Sequence, residues 1–305
     1  MGIGSRVDTT EGQPPAKAAP ARAFALSDPK YVFDDLILPR ETRTQIDRAL
    51  AFRRHQDLVF QQWGLKHTHR HAKRICLNFY GPPGTGKTMA AHAVANELGK
   101  KLLIVNYAEI ESKYVGETPK NLVSLFRHAD ETDAVIFFDE ADALLSKRVT
   151  NMSNATDTSV NQTRSVLLNL LNDYEKTILF ATNFIENFDP AFMRRILAHV
   201  HFTLPDEICR RQLYSLYVPA AMPHTIDFEA IARVHDGLSG SDIANAVLLA
   251  AFSAAERGGR TVLHTDLDSA VRSILAGKHA NAGKTHIVTR EISAEFAAQA
   301  IRGNA

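Results

Sequence analysis

The sequence is poor in the features that mark several protein classes. It holds two cysteines, Cys76 and Cys209, too few and too far apart for a disulfide framework or a zinc-ligand set. No apolar run approaches the roughly 18 residues that a membrane-spanning helix needs. It also lacks an excess of either charge, since 35 Lys and Arg stand against 34 Asp and Glu for a net charge of +1. A duplex-binding protein carries a broad basic face, so this balance argues against nucleic acid as a partner. The first 28 or so residues, MGIGSRVDTTEGQPPAKAAPARAFALSD, are rich in Ala, Pro, Gly and Thr and show no apolar period. They lack the apolar core of a secretory signal. Residues 1–30 are therefore expected to form a flexible tail, with a short docking peptide as the alternative. Apolar residues make up 45% of the whole sequence, enough for a proper core. A soluble, cytosolic globular protein without a membrane segment is expected.

From Tyr31 the pattern becomes globular. Glu41 to about Gln62 reads as a helix, with Ile46, Leu50, Phe52, Leu58 and Val59 approximating a helical stripe. His67, His69 and His71 alternate in HTHRHAKR, but no carboxylate or cysteine lies close enough to complete a metal site, and a solvated connector is the simpler reading. A strand–helix rhythm follows. Apolar runs at Ile75–Tyr80, Leu102–Val105, Ala134–Phe138, Thr177–Ala181 and Val200–Leu204 alternate with helical patterns at about 87–98, 118–130, 159–173 and 189–197. That alternation predicts an α/β fold, a five-stranded parallel sheet flanked by helices. Beyond Pro205 the pattern is helical, at about 206–217, 227–234, 239–257 and 265–276, and Thr285–Ile301 adds a short β-like run and a helix. The expected division is a large α/β unit over 31–205 and a small helical unit over 206–305.

Gly81-Pro82-Pro83-Gly84-Thr85-Gly86-Lys87-Thr88 fits GxxxxGK[ST] at the one kind of place where the motif has a mechanism, between a strand and a helix that continues from Met89. Glycines let the backbone curl so that N–H groups face phosphate oxygens. The helix starting at Lys87 adds its N-terminal dipole to the same anion site. Lys87 would place a point charge on the terminal phosphates, and Thr88 would offer a hydroxyl to Mg²⁺. About fifty residues on, Ala134–Phe138 is a buried strand ending in Asp139 and Glu140. Strand ends of a parallel sheet share one edge, so both carboxylates would sit beside the cradle. Asp139 would hold the water shell of Mg²⁺ and Glu140 would polarise an attacking water, which implies hydrolysis of a nucleoside triphosphate rather than binding alone.

With these motifs in place, the sequence from about Tyr31 to Leu275 resembles the AAA+ ATPases, P-loop NTPases with a small helical lid. The resemblance implies ATP and Mg²⁺ as cofactors, with Gly81–Met89 and the lid residues Gly240 and Ser241 at the nucleotide. Asn183, ending LFATN, resembles the sensor residue that orients the lytic water with Glu140. FDPAFMRR supplies Arg194 and Arg195 where relatives place an arginine that reaches the neighbouring subunit's γ-phosphate. The spacing fits Arg194, and Leu197 stands where a second arginine is frequent, with Arg195 as the substitute that adjacent pairs in some severing-type relatives imply. Such a role implies a ring of copies, most often a homo-hexamer. Lys113-Tyr114-Val115-Gly116 is similar to the pore loop of protein-remodelling members, in which an aromatic and an aliphatic residue grip polypeptide, and Asn151–Thr163 occupies the second pore-loop position. Gly237–Ile243 resembles the start of the lid helix, with Ser241 or its neighbours where many branches carry an arginine.

The resemblance thus implies an unfoldase that threads a protein through a central pore. By overall likeness and size it extends to the bacterial relatives of the pachytene-checkpoint ATPase, whose clients are HORMA-domain proteins and whose setting would be an antiphage signalling system. A DNA-handling AAA+ protein, a loader or transposition helper, remains the alternative, since the cradle and Glu140 fit it equally well.

Overall fold

The computed structural model describes residues 24–68, 74–106, 117–146, 155–183 and 188–281. The large unit is a single sheet between helices. In chain order, with labels used from here on, it comprises β1 (Leu26–Ser27), α1 (Arg40–Arg54), β2 (Ile75–Tyr80), α2 (Lys87–Glu97), β3 (Leu102–Asn106), α3 (Glu117–Glu131), β4 (Val135–Asp139), α4 (Asp142–Leu145), α5 (Ala155–Asp173), β5 (Thr177–Thr182), α6 (Pro190–Met193) and β6 (Ala198–His201). The small unit comprises α7 (Glu207–Tyr217), α8 (Phe228–Val234), α9 (Gly240–Glu256) and α10 over 264–281. No helix among the described residues is long and apolar enough to cross a membrane.

The sheet has six strands in the order β1-β3-β4-β5-β2-β6, and all but β1 run parallel. The expected five parallel strands are present, and the sixth corrects the reading. Leu26 and Ser27 pair antiparallel with Leu103 and Leu102, inside the stretch expected to be a flexible tail. Two residues are too few to show a period, but Phe24 and Leu26 pack on the core and add apolar contact that fixes the segment. The last strand begins at Ala198 rather than Val200, because its register is set by pairing Leu77 with Ala198 through Tyr80 with His201.

Three helical readings also shift. The expected helix to Gln62 stops at Arg54, and a wide π-type turn over Leu58–Gln62 follows. The 189–197 helix is one turn, Pro190–Met193, capped by Asp189 accepting the Ala191 N–H at 2.8 Å. The 265–276 helix extends over 264–281. The run at Thr285–Ile301, along with His69 and His71, lies outside the described residues.

Alternation along the central strands divides the core between two faces. Ile136, Phe138, Ile178 and Phe180 face α3 and α5 through Leu122, Leu125, Leu167 and Leu171. Val135, Phe137, Leu179 and Ala181 face α1 and α2 through Ile46, Leu50, Ala90 and Val94. A strand buried on both faces reads as an unbroken apolar run, which is why ICLNFY and VIFF stood out in the sequence. The lid has its own core around Tyr214, Ile231, Leu238, Ile243 and Leu267. Phe138 is fully buried and stacks on Phe180 with ring centres 5.1 Å apart. Phe138→Ala should destabilise the large unit by about 3–5 kcal/mol, read from chemical denaturation.

Candidate active site

Parallel pairing of β4 with β5 and of β5 with β2 brings three chain reversals to one edge of the sheet. β2 delivers the cradle from Gly81, β4 delivers Asp139 and Glu140, and β5 delivers Asn183. Backbone bonds lock the reversals together: the Gly81 N–H donates to the Thr182 carbonyl at 3.3 Å and the Ala141 N–H to the Ala181 carbonyl at 2.9 Å.

The glycines of the cradle are required by contact as well as by conformation. Gly81 has φ +142°, and a Cβ there would stand 2.0 Å from the Phe202 carbonyl oxygen. Gly84 has φ +74°, and a Cβ there would stand 2.0 Å from Ser241 Oγ on the lid. The first glycine lets the cradle turn against β6, and the second lets the lid close on the cradle. Gly86, also left-handed, precedes the first turn of α2, whose free N–H groups face the cradle.

Lys87 is buried, and its ammonium donates to the carbonyls of Gly81 (2.7 Å) and Pro82 (2.9 Å) and to Asn183 Oδ1 (3.1 Å). Burial lowers its pKa, while the charges of Asp139 and Asp142 oppose that shift. Thr88 Oγ1 donates to Asp139 Oδ2 at 3.0 Å. A hydroxyl and a carboxylate side by side are hard oxygen donors of the kind Mg²⁺ takes, so this pair fits that ion. Glu140 is exposed and adopts φ +51°, a left-handed conformation costly for a residue with a side chain. Its N–H donates to Asp139 Oδ1 at 3.0 Å, so the same short turn that strains Glu140 also orients Asp139.

One residue of this network escaped the sequence reading. Asp142 accepts the Asn183 N–H with both carboxylate oxygens, at 3.2 and 3.3 Å, and thereby ties β5 to the turn after β4. Its signal was present in the FDEAD run, three positions after Asp139.

Most of these groups line a cavity of about 400 Å³; Gly81, Pro82 and Asp142 are outside its lining. Gly84–Met89, Asp139, Glu140 and Asn183 form its polar end, and Gly240 and Ser241 approach from the lid. Its apolar walls were not foreseen. They come from Leu36, Ile37 and Leu38 before α1 and from Leu213, Leu216 and Tyr217 of α7. Such residues are invisible as a site in sequence, since each looks like ordinary core. A volume within the usual ~300–1,000 Å³ of ligand sites, polar at one end and apolar at the other, suits a molecule with a charged tail and a flat apolar head.

The two arginines after α6 differ. Arg195 donates from Nε to Asn172 Oδ1 and from Nη1 to the Ala191 carbonyl, each at 2.8 Å. Arg194 is exposed, and its side chain has no hydrogen bond among the described residues. Neither lines the cavity. Lys113, Tyr114, Val115 and Gly116 lie outside the described residues, as do the first four positions of Asn151–Thr163.

Residues 77–204 match the family model "ATPase family associated with various cellular activities (AAA)". The chain is 35% identical over 211 residues to the 26S proteasome regulatory subunit 4 homolog of Dictyostelium discoideum, covering 67% of this chain and 48% of the relative. It is 32% identical over 207 residues to the 26S proteasome regulatory subunit S10B homolog B of Arabidopsis thaliana (65% and 52%). It is 31% identical over 256 residues to the proteasome-activating nucleotidase of Aeropyrum pernix (81% and 61%). The chain thus spans about half to three fifths of the length of these relatives. The cradle, the acidic strand end and the matched segment coincide: residues 77–204 match the AAA family model and are similar in sequence to these proteasome-associated relatives.

Proposed function

We propose that this protein hydrolyses ATP with Mg²⁺ and uses the energy to remodel protein clients as a ring of identical copies. The observation that carries the reading is the cluster at the sheet edge: Thr88 on Asp139 at 3.0 Å, Lys87 on Asn183 at 3.1 Å, and Glu140 directly after Asp139 in the chain. Cradle N–H groups and the ammonium of Lys87 bind the phosphates, Lys87 exchanging carbonyl partners for phosphate oxygens. Thr88 and Asp139 would hold Mg²⁺, which when bound neutralises charge on the phosphates. Glu140 takes the proton of the attacking water while Asn183 orients it, and Asp142 holds Asn183 through the backbone. The apolar walls receive the base, and Gly240 and Ser241 close the cavity from the lid.

Glu140→Gln should retain nucleotide and lose about 10²–10⁴-fold in turnover, measured as phosphate release beside ATP binding. Unchanged turnover would sink the hydrolytic assignment.

The oligomeric part rests on Arg194, an exposed cation outside its own cavity. Arg195, already spent on Asn172 and the Ala191 carbonyl, is less available to a neighbour. Arg194→Ala should lower turnover by about 10³-fold or more while leaving nucleotide binding near normal, and Arg195→Ala should act mainly on stability. Mixing Arg194→Ala with Glu140→Gln subunits should restore activity in part if the arginine acts on a neighbour. A hexamer is the expected ring, to be read by native mass.

The protein client rests on Tyr114 and Val115 by resemblance, and on relatives whose names tie them to the proteasome. A flat amphipathic ring packs on varied side chains without demanding one sequence. Tyr114→Ala should keep ATPase activity and abolish client unfolding; unimpaired unfolding refutes threading. A HORMA-domain client in an antiphage system is the narrower proposal, supported by likeness and size, and co-purification with products of neighbouring reading frames tests it. ATPase activity stimulated by DNA and falling steeply with salt would instead favour a DNA-handling role.

A further inference from the structure

The lid meets the cradle through the first turn of α9. The Ser241 N–H points to the Gly84 carbonyl at 3.4 Å, and Gly240 lies close enough that a Cβ there would come 3.3 Å from the same oxygen. So small a contact cannot place the turn by itself, and the bonds behind it show what does. Ser239, buried, donates from both its N–H and its hydroxyl to Asp242 Oδ2, each at 2.8 Å, and its Oγ lies 3.0 Å from Ser241 Oγ. The same carboxylate oxygen receives a third donor from another helix: Lys278 Nζ of α10 at 2.6 Å. That ammonium also donates to the Gly237 carbonyl at 2.9 Å.

Two further contacts from α10 reach the same turn. Leu275 Cδ2 lies 3.8 Å from where a Cβ on Gly237 would stand, and His235 Nε2 is 2.7 Å from Asp268 Oδ1. The segment 235–239 is therefore held from behind by α10, and its front edge is the part of the lid that touches the cradle.

We propose that Lys278 is a positioning residue for the nucleotide cavity: by bridging Asp242 and the Gly237 carbonyl, it fixes the first turn of α9 against Gly84. This rests on the reading of the cavity as an ATP site. An exposed ion pair normally contributes little, because solvent screens it and two flexible side chains must be ordered. The Lys278–Asp242 pair differs in three respects. One ammonium serves two acceptors, its carboxylate partner is only 20% exposed, and that carboxylate is already the cap of the helix being positioned. Burial pushes the Asp242 carboxyl up, but the bonds from Lys278 and Ser239 together outweigh it and hold the group below the usual carboxylate range. Removing Lys278 withdraws one of these donors and loosens the Gly237 turn, which Leu275 and Asp268 of α10 still hold. The groups placed at the reacting phosphate all belong to the large unit, and none bonds Lys278, so the effect falls on closure rather than on chemistry.

The test compares wild type, Lys278→Met, Lys278→Arg and Arg233→Met. Arg233 is the control, an exposed lid cation that pairs with Glu229 and Glu207 and is not bonded to the turn. Titration with a fluorescent ADP analogue and Mg²⁺ gives Kd, and steady-state phosphate release gives KM and kcat. Lys278→Met should raise Kd and KM about three- to tenfold, the size of a lost helix cap, with kcat within about twofold. Lys278→Arg should recover most of the affinity, and Arg233→Met should leave it unchanged. If Lys278→Met proves unstable in thermal denaturation, Lys278→Gln is read in its place. Unchanged Kd and KM in Lys278→Met overturn the role, as does an equal loss in Arg233→Met or a fall in kcat alone. A wild type that binds no ADP analogue would overturn the ATP-site reading itself, whereas wild-type binding with an unaltered variant removes only Lys278.

Discussion

A buried ammonium must be compensated, and the way Lys87 is compensated sets the layout of the site. Isolated in a low-dielectric interior, such a charge would lose its proton or its position. Here three oxygens surround it, two from its own cradle and one from Asn183 just after β5. Asp139 and Asp142 add counter-charge from the turn after β4. The ammonium thereby ties together the ends of β2, β4 and β5. Phosphate oxygens arriving at the cradle would offer stronger, charged acceptors than the two carbonyls. Binding would then reshape a bond already shared with Asn183, so the residue proposed to orient water would respond to the phosphate through the same ammonium.

Strain sits next to this charge network. Glu140 takes a left-handed backbone, at a cost of order 1–3 kcal/mol, because its neighbours fix the turn from both sides. The Glu140 N–H is bonded to Asp139, and the Ala141 N–H is bonded back to β5. A glycine would relieve the strain, but it would remove the carboxylate. The sequence keeps a side chain where conformation argues against one, which is the pattern expected when chemistry outweighs local stability.

What could be read in the sequence follows from how each feature is encoded. The central strands and the cradle were legible because each is a contiguous signal: an apolar run of strand length, and a spaced motif at a strand-to-helix junction. Leu26–Ser27 was not, since a two-residue strand has no period and depends on the β3 edge for its partner. Helix ends shifted where a local cap overrode the pattern, as at His55, or where pairing claimed the residues, as Leu197 gives its N–H to the Cys76 carbonyl. The apolar half of the cavity was hidden for a different reason. Leu38 and Leu216 are separated by most of the chain and meet through tertiary packing, so no window of sequence holds both.

That separation has a mechanical consequence. The cavity walls come from two units with distinct cores, joined in sequence at Pro205 and touching through Gly84 and the first turn of α9. A ligand that contacts both units changes their relative arrangement only by the difference in its affinity for closed and open forms. By the same linkage, an effector that favours the closed form raises the affinity of such a ligand, and the ligand raises the effector's affinity by the same factor. Lid placement and ligand binding in this cavity are thus linked equilibria. On the proposed reading, a force applied to the lid by a neighbouring copy would be felt at the phosphates, and hydrolysis there would be felt at the lid. Gly84 is one place where that exchange passes, beside Ile37, which packs on the lid core: a side chain at 84 would have to displace Ser241 or the lid.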